Sequence, residues 1–258
     1  MLATLLAAGV AWLDLDVRPA NAAAILAAAQ AAQLLVARAR GERFDPRSAL
    51  ISSLSLCLLL RTGSATTAAA IAAVSVGSKA VLRVRGRHVF NPTAFGLVVG
   101  LVASDDVWVS PGQWGQAAWA AFAMASAGVA VVHRARRSDV TVAFLACYAG
   151  GLFARAAWLG DPLAIPLHAL QTGALVLFAF FMISDPRTTP DARAGRIAFA
   201  AAVAAGALFV QYGLFRPNGL LLSLVACAPL VPLLDALVPA PRHAWRPGSP
   251  ANLPGGIR

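Results

Sequence analysis

The stretch FFMISDPRTTP, Phe180 to Pro190, passes from apolar residues into a carboxylate, Asp185, followed by the hydroxyls of Thr188 and Thr189. An Asp-Pro pair closes turns readily, because aspartate accepts from nearby backbone N–H groups and proline presets φ. A second polar break lies in KAVLRVRGRHVFNPTAFG, Lys79 to Gly96, where Asn91-Pro92 supplies an N-cap and a proline for the first turn of a helix. The N–H groups that follow Asn91 make a positive helix end. One break offers cationic and N–H donors; the other offers a carboxylate and hydroxyls. Such groups can hold the polar edge of a bound molecule, or they can simply punctuate two helices. Polar residues also share helical faces, namely Ser75, Ser78 and Lys79, and His168, Gln171 and Thr172, each at i, i+3, i+4 spacing. Stripes of this kind inside apolar segments mark a cavity or helix–helix hydrogen bonds.

The elements that position these groups lie in a bilayer. Of 258 residues 59% are hydrophobic and 12% charged, with a mean hydropathy of +0.71, whereas a soluble domain carries about a quarter charged residues. No cleavage pattern follows the first apolar stretch, which therefore reads as a span. Apolar runs suited to a hydrocarbon layer of about 30 Å occur at 2–13, 20–37, 48–62, 65–82, 92–104, 113–132, 139–157, 163–183, 197–212 and 218–238. The expected fold is an all-α integral membrane protein of about ten transmembrane helices, with two inverted five-helix repeats as an arrangement left open. Residues 1–238 form the polytopic domain, and the proline-rich stretch 239–258 reads as a disordered cytoplasmic tail. The shorter runs call either for snorkelling arginines such as Arg61 or for broken helices.

Orientation follows from the basic residues. With this segmentation 17 of the 21 fall on one face, and Arg18, Arg61, Arg155 and Arg216 on the other. By the positive-inside rule the rich face and both termini are cytoplasmic, in a multi-pass protein of the cell membrane. The formal charge of +10 needs no nucleic-acid partner, since topology and anionic lipid account for it. Gly96 and Gly100, in G-x-x-x-G spacing, read as a helix-packing face. Cys57, Cys147 and Cys227 stand singly in apolar segments and read as buried thiols rather than metal ligands. Neither a glycine-rich phosphate loop nor a G-x-S-x-G or H-E-x-x-H motif is present.

The stretches HVFNPTAFGLVVGL (88–101) and PLHALQTGALVLFAFFMISDPRTTPDARAGRIAF (166–199), continuing into APLVPLLDAL, resemble the D subunit of Rnf electron-transport complexes and the B subunit of sodium-pumping NADH:quinone reductase. The likeness extends from about Lys79 onward and is closest to the short, stand-alone members found with enediyne biosynthesis genes. It implies a ten-helix membrane flavoprotein that passes electrons. In the complexes a covalent FMN hangs from the last threonine of a serine-x-alanine-threonine motif after the asparagine-proline helix. Here the corresponding segment, Ala103 to Gln116, has no threonine, and Ser64-Ala65-Thr66 stands before that helix rather than after it. The resemblance therefore implies a non-covalent flavin, riboflavin or FMN, without the covalent FMN. Its polar edge would meet Asn91, Thr93, Asp185, Thr188 and Thr189, with Lys79, Arg83, His88 and His168 completing the candidate cofactor-binding set.

Three classes of function stand at this point: a redox component that passes electrons to a quinone or a partner protein, a small-solute or natural-product transporter, and a membrane anchor for biosynthetic enzymes. A flavin absorbance band separates the first from the other two.

Overall fold

The computed structural model describes residues 2–12, 17–110, 128–129, 132 and 137–242. The expected span at 113–132 lies almost wholly outside the described residues, and so does the expected tail beyond Arg242. Helices α1 (Leu2–Trp12), α2 (Pro19–Arg40), α3 (Pro46–Leu59), α4 (Ala65–Val81) and α5 (Pro92–Ala103) form the first half. The second half contains α6 (Ser138–Leu159), α7 (Ala164–Leu170), α8 (Gly173–Leu177), α9 (Arg193–Leu208), α10 (Gly219–Cys227) and α11 (Leu230–Leu237). Both α8 and α9 run on into a π-helical turn, Phe178–Met182 and Phe209–Gly213 respectively. Two small antiparallel ribbons link helix ends: β1 (Leu60–Thr62) with β4 (Val107–Val109), and β2 (Arg83–Val84) with β3 (Arg87–His88).

Local chemistry accounts for these boundaries. Proline occupies the first turn of α2, α3 and α5, where its missing N–H has no intrahelical acceptor to lose. Asp45, Ser64 and Asn91 cap α3, α4 and α5 through their side chains. Gly41 ends α2 at φ 64, a conformation that an L side chain resists.

Among the described residues, three helices are long and apolar enough to cross a membrane: Pro19–Arg40, Ser138–Leu159 and Arg193–Gly213. Two further pairs qualify if each is taken as one span, Ala164–Leu170 with Gly173–Met182, bent by 51°, and Gly219–Cys227 with Leu230–Leu237, bent by 49°. Helices α3, α4 and α5 are shorter, at 14, 17 and 12 residues. At 1.5 Å per residue, α5 covers about 18 Å, well under the thickness of the hydrocarbon layer. The chain gives up helix to ribbon at both ends of α4. Arg61 does not complete α3 by snorkelling, as its sequence position suggests. It is buried in β1, and its Nη1 donates to the carbonyls of Cys57 at 3.1 Å and Leu60 at 2.9 Å.

The core runs through both halves. Phe144 of α6 meets Phe178 at a ring-centroid distance of 5.0 Å, and Leu56, Leu97, Phe199 and Val203 are fully enclosed beside them. Gly96 and Gly100 lie against α4: a Cβ on the first would come within 2.7 Å of Ser75 Cβ, and one on the second within 2.6 Å of Ile71 Cδ1. That spacing is a packing face. The thiols differ from expectation, since only Cys57 is buried while Cys147 is exposed on the outer side of α6.

Hydrogen bonds between loops fix which helix ends lie together. Arg18 Nη1 donates to the Gly63 carbonyl at 3.1 Å, so the start of α2 stands beside the start of α4. Lys79 Nζ donates to the Ser48 carbonyl and to Ser48 Oγ, each at 3.1 Å, so the end of α4 stands beside the start of α3. Helix α3 thus runs opposite to α2 and α4.

Candidate functional site

The two polar breaks meet. Asn91 Oδ1 caps α5 by accepting from the Ala94 N–H at 3.1 Å, and its Nδ2 donates to the Met182 carbonyl at 3.4 Å. Met182 lies in the π-helical turn that ends α8. A π turn widens the helix and misaligns its carbonyls, leaving them to side chains from elsewhere. Here Thr141 Oγ1 donates to the Ala179 carbonyl at 2.8 Å and Ser184 Oγ to the Phe180 carbonyl at 2.6 Å.

Beyond that turn Asp185 organises its own loop. Its carboxylate accepts from the Arg187 N–H at 3.0 Å, and its carbonyl accepts from the Thr188 N–H at 3.1 Å and from Thr189 Oγ1 at 3.0 Å. Thr188 Oγ1 reaches the same carbonyl at 3.4 Å. Across the gap His88 Nε2 lies 3.9 Å from Asp185 Oδ2, too far for a hydrogen bond, and it is buried with no hydrogen-bond partner. Burial pushes the Asp185 carboxyl up, but His88, the Arg187 N–H and the Arg187 charge outweigh it and hold the group below its ordinary value.

The remaining sequence candidates scatter. Thr93 Oγ1 bonds the Ser52 carbonyl at 3.4 Å, and Lys79 is held by Ser48. Arg83 closes the β2–β3 turn through the Gly86 carbonyl at 2.5 Å and lies 3.9 Å from Glu42. His168 is exposed on α7, separated by the 51° bend from the helix that leads to Asp185. The stripe of Ser75, Ser78 and Lys79 makes hydrogen bonds to Pro92, Ser75 and Ser48, so it ties helices together. The His168 stripe is not buried.

Sequence spacing gives no sign of the strongest feature here, a charge network that joins five segments. Arg87 Nη1 pairs with Asp191 Oδ2 at 2.8 Å and with Asp235 Oδ2 at 3.4 Å. Its other donors reach the carbonyls of Arg187 at 3.2 Å, Pro186 at 3.1 Å and Thr189 at 2.8 Å. The Asp191 N–H donates to Asp235 Oδ1 at 2.7 Å. Arg196 grips Asp139 through Nε at 2.9 Å and Nη2 at 2.6 Å, and Arg196 Nη1 donates to the Asp191 carbonyl at 2.5 Å. Arg137, with only 4% of its side chain exposed, places Nη2 3.9 Å from Asp191 Oδ1. Three arginines face three aspartates, so the cluster is formally neutral. An arginine in the first turn of α9 opposes the helix dipole, and Asp139 in the first turn of α6 compensates it. The one sequence signal available was the scarcity of acids, 11 in 258 residues, with these three sitting at helix ends.

For a flavin edge the arrangement offers little. Asn91, Thr93, Thr188 and Thr189 already bond the protein, and His88 with Asp185 are the two groups left with capacity. The adjoining cleft, lined by Arg85, His88, Arg187 and Arg242 among others, measures about 170 Å³, below the roughly 300 Å³ at which sites for drug-sized ligands begin. The described residues do not by themselves fit the group.

Comparison with known proteins places the chain. The model of the NQR2, RnfD, RnfE family matches residues 108–243, just over half of the chain. The D subunit of an ion-translocating oxidoreductase complex from Tolumonas auensis is 38% identical over 72 residues, covering 28% of this chain. Its counterpart from Klebsiella pneumoniae is 31% identical over 125 residues, covering 48% of this chain. The chain aligns with 21% and 34% of the lengths of these two relatives. It belongs to the NQR2, RnfD, RnfE family.

Proposed function

We propose that the chain is a multi-pass membrane subunit of an electron-transport system, acting beside a redox partner as the named relatives act within ion-translocating oxidoreductase complexes. The observation that carries this reading is the family match over 108–243, the half that contains both π turns, the Asp185 loop and every member of the arginine–aspartate network except Arg87. From outside that half, Arg87 ties the 184–192 loop to β3 and Asn91 ties the π turn before it to the start of α5, so that whatever docks there meets a fixed surface. The finer topology has ten spans with both termini on the arginine-rich side. Reporter fusions after Ser110 and after Arg137 should report opposite sides of the membrane; signals from the same side would refute that count.

The flavin is the finer part of the proposal. A bound flavin would supply one- and two-electron chemistry; the described cleft is too small to enclose it, so His88 and Asp185 would meet no more than its polar edge, with the rest held by residues or partners outside that cleft. Ala103 to Gln116 contains no threonine, so a phosphoester-linked FMN is not expected, and the intact mass after denaturation should equal that of the polypeptide. The deciding experiment is purification with riboflavin and FMN supplied. A yellow protein whose flavin retention or potential moves on Asp185→Asn supports the reading. A colourless protein, or a bound flavin indifferent to that substitution, removes the flavin role of Asp185.

A second reading is favoured by the two bent helix pairs, at 51° and 49°. Broken helices inside a membrane are stable where they line a cavity, which is how carriers place a solute site. Uptake or efflux of a small solute by reconstituted, flavin-free protein would support transport over electron transfer.

A further inference from the structure

The cleft between the β2–β3 turn and the end of α11 carries positive charge that the network beside it does not neutralise. Arg87 faces Asp191 and Asp235 and is satisfied. Arg85, Arg187 and Arg242 line the same cleft, are exposed, and make no ion pair among the described residues. His88 lines it too, with Nε2 buried and lacking a hydrogen-bond partner. Two further features point to the level at which lipid headgroups lie. Apolar side chains flank the cleft, Val84 at 41% exposure and Leu237 at 69%, the mixture of arginine and aliphatic surface found where a protein leaves the hydrocarbon. And Arg85 is held at φ 51 beside Gly86 at φ 82, a pair of turn positions that favours Asn-Gly. Arginine is a strained choice there, and it adds a cation to the lining of the cleft.

We propose that this cleft binds the phosphate group of an anionic phospholipid headgroup. Arginines supplied to one cleft by the β2–β3 turn, the Asp185 loop and the segment after α11 suit a tetrahedral anion, because a guanidinium can present paired N–H donors to its oxygens. A volume of about 170 Å³ admits the phosphate and its glycerol neighbour while the acyl chains lie along the exposed aliphatic flank. Bound there, the lipid would give a counter-charge to three arginines that make no ion pair among the described residues. The inference is independent of electron transfer and of flavin.

The test uses the full chain purified in detergent and titrated with dioleoyl phosphatidylglycerol, with dioleoyl phosphatidylcholine, and with inorganic phosphate, bound lipid being read by native mass spectrometry. The variant Arg85→Asn/Arg187→Gln/Arg242→Gln should bind phosphatidylglycerol about 100-fold more weakly, from roughly fivefold per arginine at an anionic surface. The variant Arg38→Gln/Arg40→Gln/Arg43→Gln removes the same charge elsewhere and should bind as the wild type does. If the first variant elutes as an aggregate, Arg242→Gln alone, at the exposed rim, should still weaken binding about fivefold. Equal losses in both triple variants, or equal retention of phosphatidylcholine and phosphatidylglycerol by the wild type, would overturn the site. Displacement of phosphatidylglycerol by millimolar inorganic phosphate would assign the cleft to a soluble phosphate and overturn the lipid.

Discussion

The two ends of the bundle close in different ways. At the β1–β4 end, Asp106 accepts from Thr62 Oγ1 at 2.6 Å and from the Gly63 N–H at 3.1 Å, while Asn21 Nδ2 donates to the Thr62 carbonyl at 2.7 Å. Those bonds are local to a ribbon and two helix starts. At the Arg87 end, one guanidinium spans segments about a hundred residues apart and engages two carboxylates and three carbonyls. The first end is a cap built on one exposed carboxylate. The second is a clamp, and its removal leaves buried charges facing one another.

That contrast predicts an order of effects. Arg87→Met leaves the buried side chain of Asp191 with only Arg137, at 3.9 Å, and the partly buried Asp235 without its cation; it should cost about 3 kcal/mol, read as a large fall in the thermal midpoint of the detergent-solubilised protein. An unchanged midpoint would mean that the network is incidental to stability. Asn91→Ala removes a cap and the bond to Met182, and about 1–2 kcal/mol is expected. Ser64→Ala, a cap without a tether, should cost about 1 kcal/mol or less. If the two cap variants fall together, the Met182 bond adds nothing.

Acid should sharpen the comparison further. Asp185 has a folded-state pKa held below its unfolded value, by His88 and the Arg187 N–H against the opposing effect of burial. A depressed carboxyl contributes stability that is present above its unfolded pKa, about 3.9, and is lost as pH falls through the folded value. Asp106 is also depressed, chiefly by the hydrogen bond from Thr62, so both ends weaken below about pH 4. Asp185→Asn should flatten the acid limb of the stability curve, and Asp106→Asn should change it least, being exposed to solvent. An acid limb identical in the wild type and in Asp185→Asn would show that His88 and Arg187 do not hold that carboxyl down.

Much of the architecture was legible because it depends on local chemistry. Apolar runs, prolines in first turns and Asn, Ser or Asp caps decide where helices begin, and the helices lie close to the segments read from the sequence. The ribbons between them were not legible, because a pairing such as Leu60 with Val109 forms only when two remote strands meet. The same holds for Arg61, whose burial depends on carbonyls freed where α3 ends.

For the site, the amino-acid sequence determined by itself that Asn91-Pro92 and Asp185-Pro186 break helices and that arginines gather at one end. Tertiary structure alone decided which groups are used up. Thr188 and Thr189 turn inward to the Asp185 carbonyl, Asn91 reaches Met182, and His168 is left outside on a bent helix. It also decided that Asp139, Asp191 and Asp235 answer Arg196 and Arg87 across separations of 57, 104 and 148 residues. Ion pairing depends on distance in space through the inverse of the separation, and chain order carries no such information until the helices have packed.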